Sequence, residues 1–220
     1  MSNLALSRRS ILLGLTALAL TSARVPSFAA DATLSPKGRA LALFLDTLGV
    51  ESKWIAGAHI DWKTGLPDGK PENMPGNHTH CSAFVASAAK QLGVYILRPP
   101  EHGQVLLANA QSEWLSGDAG QTQGWQPIVS PADAQAAANQ GMLVVASYHN
   151  HHDDKPGHIA IVRPSDRSAQ ALAQSGPEII QAGSTNLRDA SLKQGFAGHP
   201  AAWGKGEVRY YAHVIDVPLN

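Results

Sequence analysis

A single cysteine, Cys81, is the only thiol in these 220 residues. It bars every fold that needs an internal disulfide, so a hydrophobic core must hold the chain. The composition can supply one. Apolar residues make up 44% and charged residues 15%, a balance that packs rather than stays disordered. The length suits one domain, and no internal repeat is visible.

The first thirty residues read as an export signal. Arg8-Arg9 precedes the apolar run Ile11 to Leu20, and Ser27-Phe28-Ala29 places small residues where a signal peptidase cuts. The paired arginines and Arg24 resemble a twin-arginine signal. Residues 31–220 are then one mature domain, periplasmic or secreted from a bacterium. Cleavage removes Arg8, Arg9 and Arg24 and leaves 14 basic against 17 acidic residues. No basic patch remains for nucleic acid, and no further stretch is long and apolar enough to span a membrane. A monomer is expected.

Helical patterns come first and strand patterns later, which predicts an α+β fold with an antiparallel sheet. Ser35-Pro36 opens a helix carrying Leu41, Phe44, Leu45 and Leu48. A Gly- and Pro-rich loop from Trp54 to Asn77 leads to a helix at Cys81, capped by Thr79 or His80 and closed by Gly93. Gln104 to Leu115 predicts another helix, and Asp118 to Gln126 a loop containing Trp125. Ser130-Pro131-Ala132-Asp133 starts an alanine-rich helix ending at Gly141. Met142 to Tyr148, His158 to Val162, Glu178 to Ala182 and Val208 to Val217 then read as strands.

A cysteine at a helix N-terminus is placed for nucleophilic chemistry. The helix dipole favours the thiolate, and free N–H groups of the first turn can bind an oxyanion. His158 follows Pro156-Gly157 at the start of an apolar strand, a rigid position for a base. An amide carbonyl could orient its imidazole, and both Gln181 and Asn186 are candidates. Trp54, His80, Ser82 and Trp125 are expected along a substrate cleft. His78, His80 and the run His149-Asn150-His151-His152-Asp153-Asp154 raise a zinc alternative, but their spacing matches no helical ligand pair. Neither metal nor cofactor is expected.

Several segments together resemble the NlpC/P60 and CHAP group of papain-like cysteine hydrolases. They are His80-Cys81-Ser82-Ala83-Phe84-Val85, Leu92-Gly93-Val94, Leu97-Arg98-Pro99, Asn139-Gln140-Gly141-Met142-Leu143-Val144-Val145 and Gly157-His158-Ile159-Ala160-Ile161-Val162. The resemblance covers about residues 54 to 183. It implies a cysteine helix packed on an antiparallel sheet, with Cys81 as nucleophile, His158 as base and Gln181 as third polar residue. It also implies an amidohydrolase or endopeptidase acting on peptidoglycan stem peptides. A wall-binding domain without catalysis is the alternative of a different class.

Overall fold

The computed structural model describes residues 33–71 and 80–216. The segment expected to be an export signal, His78, Thr79 and the end of the last predicted strand lie outside these residues. What is described is α+β, as the order of patterns predicts. Strands β1 (Gln126–Ile128), β2 (Leu143–Tyr148), β3 (His158–Val162), β4 (Glu178–Gln181), β5 (Leu187–Ser191) and β6 (Arg209–His213) form one antiparallel sheet. Their spatial order is β1-β6-β2-β3-β4-β5.

Helices cover both faces of this sheet, so its central strands have no solvent side. Every residue of β2 and β3 is buried, and both therefore read as continuous apolar runs rather than alternating ones. Tyr210 and Tyr211 point to opposite faces, and each enters a separate core cluster. One layer contains α1 (Pro36–Thr47), α2 (Cys81–Gln91) and α3 (Leu107–Ser116), packed around Trp54, Phe84 and Trp125 against Leu143, Val145, Ile159 and Ile161. The other contains α5 (Pro131–Asn139) and the short helix α7 (Leu192–Gly195) on Val144, Ala146, Ala160 and Val162. Phe196, α8 (Pro200–Gly204) and α6 (Ala169–Ser175) complete that side.

Local chemistry explains the helix starts. Ser35 and Ser130 accept the backbone N–H three residues on, at 3.0 and 3.1 Å, each before a proline at the first helical position. Helix α2 is different. His80 occupies its cap position without a capping side-chain bond. Its first nine residues are all buried, which Ala83, Ala86, Ala88 and Ala89 permit because small side chains let neighbours approach from every side.

Two expectations are corrected. The segment predicted as a polar loop from Asp118 to Gln126 forms helix α4 (Asp118–Thr122) and edge strand β1, which pairs with β6. Trp125 between them is fully buried, and its indole N–H donates to the Tyr95 carbonyl at 2.8 Å. The predicted helix at Gln104 begins later, at Leu107, after Leu106 takes a left-handed conformation.

Candidate active site

Cys81 opens α2 and His158 opens β3, the strand on which α2 packs, and their side chains belong to different layers. Helix α2 packs on β3, and the backbone N–H of Ile159, the residue after His158, favours the charged form of Cys81. The backbone N–H groups of Cys81 and Ser82, in the first turn of α2, bear on the same sulfur. The side chain of Cys81 belongs to the α2 layer, whereas His158 contacts residues of the α7 layer. Both are nearly enclosed, each with 6% of its surface exposed.

Gln181 is the residue that meets His158. Its Oε1 accepts from the imidazole Nε2–H at 2.7 Å. The orientation of its carboxamide follows from the other end, where Nε2 donates to the Thr185 carbonyl at 3.3 Å. That fixes the tautomer: Nε2 carries the proton and Nδ1 keeps the lone pair. Asn186, the other candidate orienter, is committed elsewhere. Its Nδ2 donates to the carbonyls of Val50, Lys53 and Trp54 at 2.8, 3.0 and 3.1 Å, and its Oδ1 accepts from Gly183 N–H. It ties down the loop after α1.

Burial decides the resting charge state. It pushes the Cys81 thiol above its ordinary value, against the pull of the three backbone N–H groups. It also pushes the His158 imidazole down, against the Gln181 bond. The resting pair is therefore thiol and neutral imidazole. The dipole-stabilised thiolate expected from the helix start is outweighed by desolvation.

The residues expected along a substrate cleft are structural. Trp54 is buried in a left-handed conformation (φ 59°), its ring 5.3 Å edge-on from Phe84 and pressed on Gly65. His80 is fully enclosed, with Nε2 3.2 Å from the Ile55 carbonyl and 3.0 Å from that of Ala58. Ser82 is buried, and its carbonyl accepts from Gln111. Trp125 is enclosed as described. None presents a ring or hydroxyl to solvent.

Several residues that periodicity does not single out surround His158. Phe196 meets the His158 ring edge-on at 4.6 Å, and His199 lies nearly parallel to it at 5.5 Å. Tyr148 is 5.4 Å from His199. A Cβ on Gly195 would come within 2.6 Å of Gln181 Oε1, so glycine there leaves room for the carboxamide. Asn109 braces the loop before His158, donating to the Lys155 carbonyl at 2.9 Å and accepting from Asn150 N–H at 3.1 Å. Gly157 passes against the same Asn109 oxygen and has no room for a side chain. The Gly157-His158 step is the only one of these with a visible sequence signal.

The histidine run is not gathered. His149 pairs with Glu113 and His151 with Glu207, each at 2.9 Å. Among the described residues no three His, Cys, Asp or Glu side chains converge as a metal-ligand set. Neither a family model nor a curated protein sequence matches the chain.

Proposed function

We propose that this protein is an exported cysteine amidohydrolase of the papain-like NlpC/P60 or CHAP type, acting on a peptide-type amide of peptidoglycan. The observation that carries the reading is the 2.7 Å His158–Gln181 bond at the start of β3, the strand on which the Cys81 helix packs. A nucleophile on a helix start, a base on a strand start and an orienter on the next strand form the general arrangement for acyl transfer.

With both groups neutral at rest, the thiol proton moves to His158 Nδ1 as the sulfur attacks the carbonyl carbon. The carbonyl π pair goes to oxygen, where N–H groups of the first turn of α2 are the available donors. Collapse of the adduct breaks the C–N bond, and the amine leaves with the proton from Nδ1. Water then gives a proton to Nδ1 and attacks the thioester, freeing the acid and returning the thiol. Gln181 keeps Nε2–H engaged throughout, and so keeps Nδ1 as the working nitrogen.

The other readings lose their supports. A wall-binding domain would need exposed aromatic loops, and Trp54 and Trp125 are both buried. A zinc hydrolase would draw on the His-rich loops, in which His149 and His151 pair with separate glutamates.

Digestion of defined muropeptides, with product masses, tests the proposal. Cys81→Ala should abolish cleavage while its unfolding midpoint stays near that of the unmodified protein. Equal cleavage by the variant would refute it. The products also identify which amide is cut.

A further inference from the structure

His199 has no place in the mechanism above, yet it lies against the base. Its ring is 5.5 Å from that of His158 at an interplanar angle of 20°, a stacked pair. Phe196 closes the edge of His158, and Tyr148 closes the outer side of His199. The titratable groups facing His199 are thus His158 on β3 and Tyr148 on β2. Beyond Tyr148 lie His151, with its ring 6.4 Å away, and Glu207. Lys193 and Lys205, the charges nearest along its own segment, are exposed. Among the described residues no carboxylate bears on His199; burial disfavours its charged form, and so does any charge on His158.

We propose that His199 is a positioning residue that holds the His158 ring by stacking and sets the acid limit of the Cys81–His158 pair. The inference rests on the pairing of Cys81 and His158 in the reading above. His199 is partly exposed and His158 nearly enclosed. The first proton taken up in acid therefore goes to His199, because the more solvated ring holds a charge at lower cost. A charge there opposes a second charge on the stacked ring. At the 5.5 Å spacing the opposition amounts to about half a pH unit even at the dielectric of bulk water, and to more in a partly closed site. Protonated His199 thus stops His158 from receiving the thiol proton before His158 itself would titrate.

Two measurements test this without any substrate. The first is the rate at which iodoacetamide modifies Cys81, from pH 8 to pH 5, in the unmodified protein and in His199→Phe, which keeps a flat ring without a titrating nitrogen. The rate ratio of variant to unmodified protein should rise about threefold or more toward pH 5. A flat or falling ratio, or no modification of Cys81 in the unmodified protein at any pH, overturns the proposal. The second needs no variant. The NMR titration midpoint of His199 in the unmodified protein should coincide with the midpoint of the acid loss of alkylation, and a mismatch overturns it. Absence of muropeptide cleavage alongside a matching midpoint would remove the hydrolase reading and leave the role of His199 standing.

Discussion

At the scale of single residues, the site depends on who fixes the imidazole. Gln181 supplies one hydrogen bond, but that bond is buried and chooses the tautomer. Losing it costs about 1–3 kcal/mol and lets Nδ1 become the protonated nitrogen. If the proposed amidohydrolase reading holds, Gln181→Ala should lower kcat on a muropeptide roughly ten- to a hundredfold, with KM little changed. Gly195→Ala should act the same way from a distance, because its Cβ would push on Gln181 Oε1 and on Ile179. Steady-state kinetics of both variants check this, and a loss confined to KM would assign Gln181 to substrate binding instead. Asn186 gives the contrast. Its side chain holds three carbonyls after α1, so Asn186→Ala should lower stability by about 2–3 kcal/mol in urea unfolding. Activity per folded molecule should persist.

At the scale of elements, legibility followed how local the cause is. Ser35-Pro36 and Ser130-Pro131 announce helices because the cap bond closes within three residues. The runs at β2, β3 and β4 announce strands because each holds adjacent or alternating valines and isoleucines. Cys81, His158 and Gln181 fall at the tips of such elements, which makes them visible as candidates. The rest depends on tertiary contact. Strand β1 exists because β6 pairs with it, and nothing in Gln126-Pro127-Ile128 requires a strand. Trp54 and Trp125 look like exposed loop aromatics because loop composition hides a core position. That Gln181 and not Asn186 meets His158 needed the fold, since both are amides near the end of one apolar run. His199 and Gly195 carry no periodic signal at all.

At the scale of the whole molecule, the buried rings make stability depend on pH. Folding lowers the values of His158 and His199, so between the folded and unfolded values the unfolded chain binds more protons. This contribution is complete above about pH 6.5 and fades as the pH falls below it, at up to about 1.4 kcal/mol per pH unit for a fully buried ring and less for His199. Cys81 acts in the opposite direction, its raised value eroding stability above about pH 9. Urea midpoints at pH 5, 7 and 10 should peak near 7, and His158→Gln should flatten the acid side. An unchanged acid slope in that variant would contradict the burial of a neutral imidazole. The two-layer build has a mechanical corollary. The thiol is anchored in one core, while the base, its orienter and the stacked ring are anchored in the other, with only the end of β3 between. The short α7–α8 cover is therefore a fuse: if it frays, the nucleophile is stranded intact in a molecule that still looks folded. On gentle heating such a protein should lose its chemistry before its shape.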